Sequence, residues 1–393
     1  MTRINRLVWC QAAASVVLLF PSLLRADGGY FYQTGQAADL AQTRQEALLA
    51  VHPGGGKVTY VVRNLYNGQA TEFAWVMPVP NTPTDVAAPD SSALFEGLDA
   101  TTRPNFMISP TYTGGGVGCA CGCPISGGLG GTTNELVHVE ASGQAGILNW
   151  AALTSTGSGA LSDWLNANGY SVPDSAGPVL DGYIGQGMHF LAVRVRENAV
   201  PTAGGQLEIP PIQFTVETTR RFYPMTISQV SAAAETEVIL YLLAAHRSEA
   251  ANLPNGLIDA NSLVPGYSSG SHTNYEQLFT SKIAELGGLA LITEYAASSP
   301  AGSVPWTDMP ADLQGQALFL TRLRTLVPRD RMTQDFEFHD AATDTAVTNF
   351  FIVTEPSQAS AAAGQSLMAL AVAGTFCGLM RRSNRRLAAR IGM

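Results

Sequence analysis

QEALLAVHPGGGKVTYVVRNLYNGQATEFAWVMPVP, residues 45–80, holds three apolar runs separated by two turn signals, Pro53-Gly54-Gly55-Gly56 and Asn67-Gly68. Asn-Gly between alternating runs is the strongest short hairpin signal, so residues 45–52, 57–66 and 70–80 are expected to form a three-stranded meander. Val58, Tyr60 and Val62 fall on one face of the second run, and Phe73, Trp75, Met77 and Val79 on one face of the third. One face of the sheet is therefore buried. Tyr30, Tyr32, Tyr60, Phe73 and Trp75 are expected to pack it rather than to line a binding platform.

Working outward, residues 91–100 read as a helix with Leu94, Phe95 and Leu98 inward, ended by Arg103-Pro104. Strands follow at 136–139 and 146–153, a helix at 158–169 with Leu161, Trp164 and Leu165 on one face, and a second helix at 178–187. Residues 188–196, 207–217, 223–230 and 236–245 are strand-like, and Pro210-Pro211 marks an edge or a bulge. Helices are expected at 275–286 and 313–326, and strands at 289–296 and 350–353. Because strands come in runs rather than alternating strictly with helices, the class is α+β, with largely antiparallel sheets, short helices and a C-terminal transmembrane helix.

The chain has 393 residues, 46% hydrophobic and only 13% charged, against about 25% charged in an average domain. That excludes a disordered polyelectrolyte and a coiled coil. A net charge of −9 argues against nucleic acid as a partner, since phosphate contacts need a basic surface.

The two ends carry the strongest signals. Arg3 and Arg6 precede an apolar stretch, and Ala26 stands before Asp27, the pattern of a secretory signal over residues 1–26. An uncleaved N-terminal anchor is the alternative. Residues 361–380 contain two plainly polar side chains, Gln365 and Ser366, and are followed by Arg381, Arg382, Arg385, Arg386 and Arg390. About 20 such residues span hydrocarbon, and arginines beyond a span stay on the cytoplasmic side. The alternative is a helix packed on the body. Glu355-Pro356-Ser357, an apolar run and arginines also resemble the sorting tag cut by bacterial exosortases, which would place the mature chain at the cell surface.

The expected organisation is a signal at 1–26, an N-terminal β-meander subdomain at 27–110, a Gly/Cys-rich loop at 111–133, and an α+β subdomain at 134–356. A spacer and transmembrane helix at 357–380 and a basic cytoplasmic tail at 381–393 complete it. The exported body would carry 14 basic and 31 acidic residues, a charge of −17.

Three constellations could carry chemistry. Cys119-x-Cys121-x-Cys123 puts three thiols within five residues, an odd number that cannot all pair in one chain. One strained disulfide plus a free thiol, a three-thiolate site for a soft metal, and a redox-active thiol all remain open. Asp335, Glu337 and His339 alternate with Phe336 and Phe338, which would set two carboxylates and an imidazole on one strand face. A cation could sit there, but a solvated face over buried phenylalanines has the same pattern. Gly266-Tyr-Ser-Ser-Gly270 matches a nucleophile-elbow pattern without a central strand before it, and so reads as a loop. His52, His138, His189 and His246 lack paired spacing and read as structural. No cofactor can be named.

Several phrases occur together in order: residues 72–80, the glycine-flanked Cys119–Cys123 segment, LSDWLNANG at 161–169, residues 178–187 leading into HFLAVR at 189–194, and FLTRLR at 319–324. With this ordered set the chain resembles the bacterial domain-of-unknown-function family 2330. The resemblance implies an exported envelope protein, often with a C-terminal apolar segment, and supplies no catalytic residues. The expected role is binding or scaffolding of an envelope partner at the membrane, without catalysis. The alternative is a thiol-redox or soft-metal protein using Cys119, Cys121 and Cys123.

Overall fold

The computed structural model describes residues 29–33, 41–67, 73–89, 92–108, 137–195, 200–201, 207–266, 273–299 and 304–353. The elements before the Gly-rich stretch are β1 (Gly29–Gln33), β2 (Ala41–Val51), β3 (Lys57–Asn67), β4 (Phe73–Val79), β5 (Thr84–Ala87), α1 (Ser92–Thr102) and β6 (Asn105–Ile108). After it come β7 (Val137–Ala145), β8 (Leu148–Ser155), α2 (Ser158–Ala167), β9 (Tyr170–Ser171), α3 (Gly177–Gly185), β10 (His189–Val195), β11 (Val200–Pro201), β12 (Leu207–Glu217), β13 (Arg221–Tyr223), β14 (Ala232–Ala244), β15 (Ser248–Ala250) and β16 (Asn255–Gly256). The last are α4 (Tyr275–Glu285), β17 (Leu291–Ser299), β18 (Leu318–Pro328), β19 (Phe336–Asp340) and β20 (Phe350–Val353).

β2 and β3 form the expected antiparallel hairpin. Its turn is made possible by Gly54 and Gly55, at φ 87° and 70°, where a side chain would be strained. β4 does not continue this meander. All seven of its residues are buried, so covering one face is not enough, and it inserts between β1 and β10 in a second sheet. The resulting six-stranded sheet has the order β7-β8-β10-β4-β1-β9. The nine-stranded sheet runs β11-β12-β3-β2-β14-β18-β17-β16, with β5 paired to β12. Strands from both sides of the Gly-rich stretch are interleaved in both sheets.

Period-2 alternation sorts these strands into layers. Tyr60, Leu49, Leu240 and Leu323 of the large sheet meet Trp75, Met77 and Leu191 of the small one in the central core. The small sheet's other face, with Phe31, Val76 and Phe190, is covered by Leu161, Leu165 and Leu180 of α2 and α3. On the large sheet's outer face, Leu48, Val61, Ile239 and Tyr241 lie under Leu94, Phe95 and Leu98 of α1. Beside them Ile292 lies under Phe279 and Ile283 of α4, with Val353 of β20. Complete burial of a side chain such as Phe95 contributes about 1.5–3 kcal/mol.

The class is mostly β with a few short helices, consistent with α+β. All four α-helices fall where expected, and the Pro210-Pro211 signal is a bulge between Ile209 and Ile212. Two elements are corrected. Residues 223–230 are not a strand: β13 stops at Tyr223, and Thr226–Val230 is a 3-10 turn whose first amides are taken by Asp335. Residues 313–326 are not a helix, because residues from Leu318 on form β18, a strand held between β14 and β17.

No helix among the described residues is long and apolar enough to cross a membrane. The expected signal at 1–26, the Gly/Cys-rich segment with Cys119, Cys121 and Cys123, Tyr267 to Gly270, and residues 357–393 lie outside the described residues.

Candidate functional site

The outer face of the large sheet carries a ladder of charged side chains that sits among apolar neighbours. Arg63 on β3 donates through Nε to Glu46 Oε2 on β2 at 2.8 Å, and Arg44 reaches Glu46 Oε1 at 2.5 Å. Arg324 on β18 donates to Glu237 on β14 at 2.7 Å and to Glu276 of α4 at 2.9 Å. Arg322 donates through Nε to Glu294 on β17 at 2.7 Å, and through Nη1 to Asp99 of α1 at 2.7 Å and to the Tyr241 hydroxyl at 2.9 Å. The Glu46 and Glu294 side chains have no exposed surface. Burial opposes the charge of Arg322, but Tyr241, Glu294 and Asp99 outweigh it and hold the guanidinium protonated. Burial, with Glu294 beside it, raises the Tyr275 phenol well above its ordinary range. Each arginine of the ladder is thus met by carboxylates from neighbouring strands and the covering helices, so the buried charges are paired.

A second cluster sits where the turn after β4 comes over the ends of β7, β8 and β10. Glu140 lies at the bulge of β7, accepts a hydrogen bond from Thr82, and is 3.2 Å from His189 Nδ1. Burial pushes the Glu140 carboxyl up, but hydrogen bonding from Thr82, the charge of His189 and Thr154 outweigh it and hold the pKa below 4.5. A carboxylate with a depressed pKa contributes stability above its ordinary pKa and loses it as pH falls through the depressed value. Thermal unfolding of the Glu140→Gln variant should therefore show a deficit at neutral pH that closes below about pH 4.5. A deficit unchanged between pH 7 and pH 3 would contradict the pairing.

The other sequence candidates separate. His52 is buried between Asp312 (Nδ1–Oδ2 2.6 Å) and Thr59 (Nε2–Oγ1 2.7 Å), and His246 is 2.8 Å from Asp344. Of the 335–339 trio, Phe336 and Phe338 are buried, Glu337 pairs with Arg220 at 2.6 Å, and His339 is 3.4 Å from Glu249. Asp335 departs from the solvated-face reading. Its Oδ1 accepts from the Tyr183 hydroxyl at 2.6 Å and from the Met225 and Thr226 amides at 2.9 Å. The three side chains thus engage separate partners and do not converge on one point. Among the described residues, no group of three or more His, Cys, Asp or Glu side chains could hold a metal ion.

One surface remains open rather than paired. β6 and β20 form a parallel two-stranded sheet, with Asn105 opposite Phe350, Met107 opposite Ile352 and Ile108 opposite Val353. Alternation turns Phe106 and Phe351 inward, where they stack at 5.7 Å and contact Tyr275 of α4. The same alternation turns Met107, Phe350 and Ile352 outward, exposed at 52%, 44% and 65%. Asn349 fastens this pair to the end of α1 by donating to the Thr101 and Arg103 carbonyls at 2.9 and 2.8 Å. Because the pairing is parallel, the chain leaves Ile108 toward the cysteines and leaves Val353 toward the apolar run from the same edge. Neither the charge ladder nor this face is evident from the sequence alone. The ladder's signal was the period-2 spacing of Arg322 and Arg324 around Leu323, and the face's was the alternation in Phe350–Val353.

No curated protein matches the chain. Among solved structures, the crystal structure of baculovirus P35 is similar at 9% identity, over 78% of this chain and 95% of that one, with a TM-score of 0.27. So low a score bears on neither fold nor function. Residues 26–339 match the model of domain-of-unknown-function family 2330, described as an uncharacterized protein conserved in bacteria, and the chain belongs to that family.

Proposed function

We propose that the chain is an exported bacterial envelope protein, anchored in the cytoplasmic membrane by residues 361–380, whose body binds or scaffolds other envelope components without chemistry of its own. The observation that carries this reading is the β6–β20 pair. It is fastened to α1, it presents apolar side chains outward, and the chain runs from it within eight residues to Ala361 and the apolar segment. The arginines from Arg381 on support an outside body, and Arg3, Arg6 and Ala26 support export.

The full chain is expected to stay in the membrane pellet through alkaline carbonate and to dissolve in detergent. Deletion of residues 361–393 is expected to move it to the soluble exported fraction. Release of the full chain by carbonate would overturn the anchor. A mature form ending near Pro356 would instead favour a processed sorting tag.

A second reading, a thiol-redox or soft-metal role for Cys119, Cys121 and Cys123, rests on three thiols in five residues. Thiol counting with elemental analysis separates the two readings. One free thiol in that segment without metal fits the first; stoichiometric metal with all three thiols protected fits the second.

A further inference from the structure

We infer that the outward face of β6 and β20, formed by Met107, Phe350 and Ile352, rests on the lipid bilayer and fixes the orientation of the body above it. The inference deepens the membrane-anchor reading and rests on it.

Chain length supplies the first argument. Ala361 lies eight residues beyond Val353, and an extended chain covers at most about 3.5 Å per residue, so the start of the apolar run is within about 28 Å of the end of β20. If that run spans the membrane, the bilayer surface lies close to this edge of the body.

The second argument is the side-chain pattern. Met107 and Ile352 are directly opposed in register and Phe350 is two residues from Ile352, so the three large apolar groups form one patch rather than scattered exposures. The sheet behind it is rigidly backed: Phe106 and Phe351 pack against Tyr275, and Asn349 holds the strand to α1. An apolar patch on a fixed frame fits shallow insertion at the headgroup boundary.

The third argument selects the occupant. A 361–380 helix folded back on the body would leave its other sides exposed, because its only plainly polar side chains are Gln365 and Ser366 and it has no polar face. The exported body carries 14 basic and 31 acidic residues, so attraction to anionic headgroups does not drive the contact. The contact is apolar and should form on zwitterionic lipid.

The test uses the full chain reconstituted in phosphatidylcholine vesicles doped with a phospholipid bearing a benzophenone near its headgroup. After irradiation, labelled peptides are mapped by mass spectrometry. Peptides with Met107 and with Phe350–Ile352 should be labelled at least five-fold more than those with Val179 and Ile184 of α3, on the opposite side of the sandwich. Met107→Ser combined with Ile352→Ser should lower labelling of these peptides at least five-fold and leave that of residues 361–380 unchanged. Label on 361–380 without label on Met107 or Ile352 would overturn the seating and keep the anchor. A face covered by a second copy would give that same overturning result, and a face covered by residues 361–380 would leave those residues unlabelled as well and overturn both. A chain that fails to float with the vesicles would overturn the anchor and the seating together.

Discussion

Replacing Arg322 by methionine is expected to lower the unfolding free energy of the full chain by about 3–5 kcal/mol, the range for breaking a buried pair at one partner. The guanidinium is 4% exposed and joins Glu294, Asp99 and Tyr241, which come from β17, α1 and β14. Without it, Glu294 keeps the Tyr275 hydroxyl at 3.0 Å and the longer contact to Arg324 at 3.4 Å. Its charge stays in a place water does not reach. Lys57 with Glu217, exposed at 52% and 71%, shows the opposite limit, where loss of a pair costs about 0–1 kcal/mol. Adding Glu294→Leu to Arg322→Met should restore at least half of the lost stability, since the stranded charge goes with it. Denaturant unfolding followed by tryptophan fluorescence checks both. A loss under about 1 kcal/mol for the single variant would mean the ladder is hydrated.

Asp335→Ala is expected to cost about 3–5 kcal/mol, since it strands three donors at once and each unsatisfied buried donor costs about 1–3 kcal/mol. The donors are the Tyr183 hydroxyl of α3 and the amides of Met225 and Thr226. Tyr183 in turn accepts from the Ile227 amide at 3.2 Å, so the loss spreads into the turn beside the α2–α3 layer. Burial and then the Asp335 charge hold the Tyr183 phenol well above its ordinary pKa, so it remains a donor across neutral pH. Asp335→Asn keeps an acceptor oxygen and should cost about 1–2 kcal/mol. Equal losses for alanine and asparagine would show that the carboxylate's negative charge, rather than its acceptor geometry, carries the effect.

The helices were legible because apolar spacing and breakers agree: Leu161, Trp164 and Leu165 share a face, and Gly169 follows at φ 88°. The strands at 57–67 and 207–217 were legible from alternation alone. β4 reads from sequence as the third strand of the meander because Asn67-Gly68 signals a local hairpin, whereas its burial on both faces is satisfied only by two long-range neighbours. In β18, Leu320, Leu323 and Leu326 are spaced as on one helix face, whereas in the strand Leu320 and Leu323 point to opposite faces and both are buried. What decides is the pairing of Arg322 and Arg324 with carboxylates on four other elements, which a single strand of sequence does not display. The charge ladder was hidden for the same reason, since its members come from strands far apart in the chain. The β6–β20 face needs a pairing across about 245 residues, and its apolar alternation alone reads as an ordinary half-buried strand.

Protease added outside intact cells or spheroplasts tests the membrane-anchored arrangement most directly. With the apolar run at 361–380 spanning the membrane and the arginines inside, the body should be digested and a small membrane fragment carrying residues 381–393 should survive. A protected body with its C-terminal tail removed would contradict that orientation.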